Sequence, residues 1–208
     1  MPRPKLESCT RILVVEGYDD LLAYAEILEH VSNYDEKVFI KDMGGRSNIV
    51  TKLETFLSPA LLAPGQKAAI GVIVDADKDG AGISRSLEVR LTKITGQSVK
   101  AGAWTDGQPR IGLYVASGAD GTGEIETLVW EAWSQDPANS AAKGCVDGFL
   151  DCMKAAGHAA HSPDKGRLGA LLAVLNDEDP RLGPSARARV FDFDRPELGP
   201  LLAFLRAL

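Results

Sequence analysis

The sequence contains few cysteines and no long apolar run. Its three cysteines, Cys9, Cys145 and Cys152, are an odd number without a CxxC pair, so we expect reduced thiols in a cytoplasmic protein. No apolar run approaches the roughly 20 residues that a transmembrane helix needs. The first ten residues also lack an apolar core of the signal-peptide type. We therefore predict no association with a membrane.

Positive charge is also in deficit. The 23 Lys and Arg residues against 29 Asp and Glu residues give a net charge of −6. This balance disfavours a strongly basic nucleic-acid coat protein. It still allows an enzyme that meets nucleic acid through bound cations and a local basic patch. The 208 residues, 45% of them apolar, are enough for one domain with a sizeable core.

Two apolar runs of the sequence each stop at a carboxylate. The run 12–15 (ILVV) precedes Glu16, and the run 71–74 (GVIV) precedes Asp75. Both are typical of buried parallel strands, and open α/β sheets bind ligands at the carboxyl ends of such strands. Carboxylates gathered there repel one another unless a cation lies between them, and Mg²⁺ is the usual one. The pattern predicts a metal-dependent acidic site.

The first half of the chain alternates between strand and helix patterns. Strands are predicted at 11–16, 37–40 and 68–74, and helices at 19–31, after the glycine-rich turn 43–48, and at 83–94. This βαβαβα order predicts an α/β fold, a doubly wound, Rossmann-like parallel sheet with right-handed crossovers, flanked by helices.

The second half is predicted to be mainly helical. Two strands are expected at 101–105 and 110–116, and a glycine-rich loop opens a helix within 117–133. Further helices are expected at 141–156, 165–175 and 196–208. We interpret residues 1–135 as the α/β core and residues 136–208 as a helical C-terminal part packed on the same domain.

The segment DADKDG (75–80) admits two other interpretations. It resembles the start of an EF-hand loop, but Ser86 replaces the twelfth-position Glu and a strand precedes the segment, so we reject that reading. A haloacid-dehalogenase phosphatase also begins D-x-D, but it has Thr or Val where this chain has Asp79. The segment RILVVEGYDDLLAYAEIL (11–28) resembles the opening of a response-regulator receiver, but that family needs a late Lys-Pro, which the sequence lacks. We rank the last two below the metal-site reading.

Helix capping is the competing explanation for several polar residues. Asp19 and Asp79 fit equally well as helix N-caps, whereas Glu16 directly after a strand is a poor cap and a good ligand. Glu16 and Asp20 are four residues apart across a strand–helix turn, so both are expected to reach one ion.

The turn at residues 44–48 (GGRSN) also has two readings. Its backbone N–H groups and Arg46 would lie near a phosphate at a helix N-terminus. We slightly favour an ordinary glycine turn with Ser47 as the cap.

These motifs together resemble the Toprim domain, which topoisomerases, DnaG-type primases, RecR-type repair proteins and OLD-type nucleases share. VVEGYDD (14–20) supplies a Glu after the first strand, and IVDADKDG (73–80) an Asp-x-Asp after the third. GEIETL (123–128) and DKGRLGALLAVL (164–175) resemble the acidic and Lys-bearing segments of OLD-like proteins. The ending 191–205 is similar to that of a small stand-alone prokaryotic Toprim-like family of unknown function.

The resemblance implies roles for individual residues. Glu16, Asp75 and Asp77 would hold Mg²⁺ or Mn²⁺, and Lys165 would neutralise charge on the phosphate; a solvated lysine at a helix start is nearly as good an explanation. The implied residues are Glu16, Asp75, Asp77 and Lys165 for catalysis, Asp20, Asp79 and Glu126 as further metal ligands, and Gly44, Gly45 and Arg46 for phosphate binding.

The leading hypothesis is therefore a Toprim nuclease that hydrolyses phosphodiesters of DNA or RNA. The alternative is a catalytically silent metal- or nucleotide-binding module that acts with a partner protein. OLD proteins carry an ATPase, and this sequence has no GxxxxGK[ST] motif, so any ATPase would be a separate chain. The oligomeric state, including a homo-oligomer, stays open at this stage.

Overall fold

A computed structural model describes residues 4–32 and 38–208 of the protein. The strands are β1 (Arg11–Val15), β2 (Val38–Asp42), β3 (Ala69–Asp75), β4 (Ala103–Trp104) and β5 (Arg110–Ala116). The α-helices are α1 (Tyr18–Ser32), α2 (Arg46–Phe56), α3 (Pro59–Leu62), α4 (Gly80–Thr95), α5 (Ile125–Ser134), α6 (Ser140–Ala155), α7 (Pro163–Leu175), α8 (Leu182–Arg187) and α9 (Gly199–Arg206).

The strands form one mixed sheet in the order β2-β1-β3-β5-β4. The first four of these are parallel, and β4 runs antiparallel to β5. Ile12 of β1 pairs with Ile70 of β3, and Ile70 pairs in turn with Ile111 of β5. The α/β fold with a mostly parallel sheet flanked by helices is confirmed.

Both faces of the sheet are covered by helices. Ile12 and Val14 point to a core shared with α2 and α4, whereas Leu13 and Val15 point to a core shared with α1, α5, α7, α8 and α9. Because successive side chains of a strand alternate between faces, a strand buried on both sides must be apolar throughout. All seven residues of β3 are buried.

The chain reverses direction across the sheet between β1 and β3. It leaves β1 through α1 to reach β2 on one side, and it returns through α2 to β3 on the other side. Since α1 and α2 cover opposite faces, the two crossovers have the same hand. Ligands of such sheets bind outside the carboxyl ends of the strands at this reversal, which is where Glu16 and Asp75 lie.

The C-terminal helix closes the core over the middle of the sheet. Trp104 stacks on Phe204 with ring centroids 4.8 Å apart, and its Nε1 donates a hydrogen bond to the Phe204 carbonyl at 3.2 Å. A Cβ at Gly112 would come within 2.7 Å of the Trp104 ring, so a glycine is needed beneath the indole. The predicted helices beyond residue 136 are present, and the division at 135/136 stays a prediction.

Two helices were not predicted, and the strand limits shifted slightly. The chain forms α3 and α8 where we expected no element, and β2 extends to Asp42. Lys37, the expected first residue of β2, lies outside the described residues. The short α8 depends on tertiary packing, because Gly183 lets it approach α1 so closely that an added Cβ would lie 2.5 Å from that of Leu22. Among the described helices, none has the length and apolar character to cross a bilayer.

Candidate functional site

The site begins with two carboxylates at the carboxyl ends of adjacent strands. Glu16 follows β1, and its Oε1 accepts a hydrogen bond from the backbone N–H of Asp75 at 3.1 Å. Asp75 ends β3, and its Oδ1 accepts from the N–H of Ile125 at 3.2 Å. The sheet thus brings together the two residues that the apolar runs indicated. The link to Ile125 joins them to the start of α5.

Asp75 carries the strongest electrostatic signature of the site. It is 9% exposed, and the pKa of its carboxyl is raised from the ordinary 3.8 to about 8. Burial is the main cause of the raised pKa, repulsion from Asp20, Glu16 and Glu126 contributes to it, and Lys165 opposes it. Each additional buried negative charge disfavours ionisation of its neighbours. A cation placed among these carboxylates would therefore be attracted by all of them.

Asp77 and Arg46 form an ion pair at the outer edge of the site. The Asp77 backbone is left-handed, with φ at 45°, and its N–H and C=O both hydrogen-bond to Gly123 at 2.7 Å. Its Oδ2 accepts from the Arg46 guanidinium, which also donates to the carbonyl of Asp75 at 3.3 Å. The Asp77 carboxylate is thus close to Asp75 but is neutralised by a cation of the chain itself.

Asp20 and Asp79 both act as caps in the structure. Asp79 is the N-cap of α4, and its Oδ1 accepts from the N–H of Gly82 at 2.8 Å. Asp20 accepts from the N–H of Gly17 at 2.8 Å, the side-chain half of a capping box at the start of α1. Burial raises the pKa of Asp20, so it also belongs to the buried carboxylate group. The ligand roles of both residues stay predictions.

A second cluster forms around Lys165 at the start of α7. The Lys165 ammonium lies 2.8 Å from Glu124 Oε2 and 3.8 Å from Glu126 Oε1. Burial works against the charge of Lys165, but the hydrogen bond to Glu124 and the charge of Glu126 raise its pKa. Ser162, the N-cap of α7, also donates to Glu124. Lys165 is thus a paired lysine rather than only a solvated helix start.

Glu126 is the least satisfied carboxylate of the site. Burial raises its pKa to about 7, with Lys165 opposing and Glu124 adding to the rise. Its Oε2 is buried and has no hydrogen-bond partner within the ranges 4–32 and 38–208. An unpartnered buried oxygen is costly unless a ligand or ion satisfies it.

Two residues of the site were not predicted from the sequence. Glu124 is buried and forms an ion pair with Lys165, whereas the sequence pattern predicted a site role only for Glu126. Tyr24 is 2% exposed, and its hydroxyl has no partner in the described part of the chain. Tyr24 lies one helical turn after Asp20 and therefore on the same side of α1. That spacing was a usable signal for Tyr24, whereas the pairing of Glu124 depends on α7 and was not predictable locally.

The glycine turn before α2 serves the fold as well as the site. Gly45 is the N-cap of α2 with φ at 109°, and its N–H donates to the carbonyl of Glu16 at 2.7 Å. This N–H is therefore already used, and Gly44 accepts from the Asn48 side chain at 3.0 Å. Ser47 lies inside the helix, so its expected role as the cap is wrong. A phosphate-binding role of Gly44, Gly45 and Arg46 stays a prediction.

Comparison with known proteins gives one result. A family profile described as "Protein of unknown function (DUF3226)" matches residues 10–208. The chain belongs to the DUF3226 family. The match spans every strand and all of the carboxylates above. No curated protein and no solved structure matches the chain. The family description carries no activity, so the resemblance to Toprim domains stays a prediction.

The donor chemistry of this DUF3226 protein suits a hard divalent cation, which prefers carboxylate oxygens. Glu126 offers an unpartnered oxygen, and Asp75 is destabilised by its negative neighbours. In the part of the chain that the structure describes, however, no three His, Cys, Asp or Glu side chains lie where one ion could join them. Binding of one ion by three side chains therefore requires rotation of side chains such as Asp77, which is held by Arg46.

Proposed function

We propose that this protein is a Mg²⁺- or Mn²⁺-dependent phosphodiester hydrolase of the Toprim type that acts on DNA or RNA. The single observation that carries the proposal is the buried Asp75 at the switch point of the sheet, surrounded by carboxylates that raise its pKa. Buried, mutually repelling carboxylates cost stability. Strongly perturbed groups of this kind concentrate at functional sites.

The metal would be held by Glu16, Asp75 and Asp77, with Asp20, Asp79 and Glu126 as further ligands. When bound, the metal would lower the pKa of a coordinated water and stabilise the leaving oxygen of the phosphodiester. Asp75 would contribute its charge from inside the fold, where the low dielectric strengthens it. Its hydrogen bond from Ile125 would fix the orientation of the carboxylate.

Two cations of the chain would bind the substrate phosphate. In the structure Arg46 forms an ion pair with Asp77, and Lys165 forms ion pairs with Glu124 and Glu126. If Asp77 and Glu126 turned to the metal, Arg46 would become free for phosphate oxygens, to which Arg binds through two parallel hydrogen bonds. Lys165 would keep Glu124 as a partner and would offer its remaining N–H groups to the phosphate. The ion pairs would thus offset part of the negative charge of the site before binding and release positive charge afterwards.

The test is cleavage of labelled plasmid, single-stranded DNA and RNA in Mg²⁺ or Mn²⁺. We expect Asp77→Asn to lower the rate by at least about 100-fold while the circular dichroism spectrum stays unchanged. Asp106→Asn is the matched control, because Asp106 is an exposed residue of the β4–β5 turn. Full activity of Asp77→Asn would contradict the proposal.

A second candidate is a catalytically silent metal- or nucleotide-binding module that works with a partner such as a separate ATPase. The ion pairs of Arg46 and Lys165 favour it, because they neutralise the carboxylates without any metal. This candidate predicts that Mg²⁺ raises the thermal stability while no nucleic acid is cleaved. We further propose a cytoplasmic location, since all three cysteines are free and thiols persist in reducing compartments.

A further inference from the structure

A cleft of about 270 Å³ opens between α2 and α4, directly beside the carboxylates. Glu16 and Arg46 line it, and so do Ile49, Val50 and Ile83. It lies at the crevice where the chain reverses between β1 and β3, the general ligand position of open α/β sheets. The metal-site hypothesis leaves this cleft without a role.

The walls of the cleft are mainly apolar. Ile49 is buried, while Val50 is 44% exposed. Ser86 is a neutral polar wall residue on α4, and the charged wall residues are Arg46, Glu16 and Asp79. A mainly apolar pocket with a few polar groups is typical of small-molecule sites, whose volumes are roughly 300–1,000 Å³. The cleft is slightly smaller than that, so it suits part of a small ligand.

Arg46 joins the cleft to the carboxylate site. Its guanidinium reaches both Asp77 and the carbonyl of Asp75, and the same side chain lines the cleft. A ligand that places a phosphate at Arg46 therefore has its remaining part next to the apolar walls. A nucleotide has this composition, with an anionic phosphate at one end and a flat base at the other.

We propose that the cleft binds one nucleoside monophosphate unit, with the base between α2 and α4 and the phosphate at Arg46. This inference rests on the proposed function, because the bound unit would be an unstacked nucleotide of the substrate strand. A base enters such a pocket only after it leaves the stack, which costs least in single strands. The substrate is therefore single-stranded, or a frayed end, rather than a closed duplex.

The first test measures binding by calorimetry in Mg²⁺, using AMP, adenosine and ribose 5-phosphate as probes. Because the base would bury apolar surface against the aliphatic walls, we expect ribose 5-phosphate to bind about tenfold or more weakly than AMP. Arg46→Gln should weaken AMP and leave adenosine unchanged. Equal affinities of AMP and ribose 5-phosphate would overturn the proposal.

Filling the cleft provides the decisive variant. Val50→Trp should weaken AMP binding about tenfold or more, because the indole would occupy the space in which the base buries its apolar surface. Val89→Trp should bind AMP like the wild type, because Val89 lies on α4 outside the cleft and is 72% exposed. Ser86→Trp fills the cleft from the other helix and serves if Val50→Trp does not fold. Unchanged AMP binding in a folded cleft-filling variant would overturn the proposal.

Cleavage assays separate this inference from the proposed function. If the wild type cleaves a single strand faster than its duplex and Val50→Trp raises KM for that single strand, the nucleotide in the cleft is part of the substrate strand. If wild type cleaves nothing but loses AMP binding in Val50→Trp, the cleft is a site for a free nucleotide, and the hydrolase proposal fails alone. If wild type cleaves with Val50→Trp unimpaired, the hydrolase stands and the cleft proposal fails.

Discussion

Each end of the parallel strands buries one ionisable side chain, and the two side chains have opposite surroundings. At the amino ends of the strands, Lys67 is 8% exposed, and its Nζ donates to the carbonyls of Leu6 and Cys9 at 2.7 and 2.6 Å. At the carboxyl ends, Asp75 is 9% exposed and faces other carboxylates. Because Lys67 and Asp75 are almost equally buried, the difference in their stability comes from the groups that they contact.

This comparison separates stability from function within one fold. Lys67 satisfies two carbonyls of the N-terminal segment and so attaches that segment to the sheet. Asp75 accepts one backbone hydrogen bond but is destabilised by its neighbours. Natural proteins tolerate such destabilisation mainly where activity requires it, and removing each residue should therefore change stability in opposite directions.

The largest effect is expected from Asp75→Asn. The folded protein keeps the Asp75 proton up to about pH 8, whereas the unfolded chain releases it near pH 3.8. The free energy of unfolding of the wild type should therefore fall as pH rises from 4 to 8, by on the order of 5 kcal/mol through this group. Asp75→Asn should flatten that fall, as measured by urea unfolding at several pH values without divalent ions.

Asp106→Asn provides the reference curve for this experiment. We expect its pH dependence to follow that of the wild type. Parallel curves for Asp75→Asn and wild type would show that Asp75 does not carry the electrostatic cost.

At the other end of the sheet, Lys67→Met should lower the free energy of unfolding by about 3 kcal/mol. The reason is the loss of two hydrogen bonds from a charged donor, which leaves buried carbonyls unpaired. Urea unfolding at pH 7 measures the change, with Lys93→Met on the exposed side of α4 as the control. A Lys67→Met protein as stable as this control would remove the contrast between the two ends.

Mg²⁺ should convert the unfavourable end into a stabilised one. At pH 8 a concentration of 100 times Kd should raise the free energy of unfolding by about 2.7 kcal/mol. At pH 5 the gain should be much smaller, because protons compete for Asp75 and Glu126, whose pKa values are about 8 and 7. Thermal unfolding in Mg²⁺, in EDTA and in NaCl of equal ionic strength tests this, and equal gains at both pH values would refute it.

The smallest effect separates capping from metal binding at Asp79. Asp79→Ala should cost about 1 kcal/mol through loss of the N-cap of α4, and Asp79→Asn only a few tenths of that, since Asn also caps. If Asp79→Asn nevertheless abolishes the stabilisation by Mg²⁺, Asp79 is a ligand as well as a cap. Thermal unfolding of both variants with and without Mg²⁺ distinguishes the two roles.

Local sequence patterns predicted the features that depend on residues close together in the chain. The apolar runs before Glu16 and Asp75 specify buried strands, and their order along the chain specifies the sheet. Asp79 illustrates the limit, because its position fits a cap and a ligand equally well. The structure shows the cap and leaves the ligand role to experiment.

Three features that were not predicted depend on residues distant in sequence. The partner of Lys165 is Glu124, which lies 41 positions earlier in the chain, and Lys67 reaches back to Leu6 and Cys9. The packing of Trp104 against Phe204 spans 100 positions. Periodicity and capping rules describe neighbours along the chain, so they contain no information about such pairs.

The arrangement of the indole rings has a consequence for spectroscopy. Trp104, Trp130 and Trp133, the three tryptophans of the chain, all pack on the sheet face that α1 and α9 cover. The α2–α4 cleft lies against the other face. Intrinsic fluorescence should therefore report the loosening of one side of the sheet and remain nearly silent when the cleft fills. A chromophore attached to the ligand, or an indole introduced at Val50, would be needed to make that second side visible.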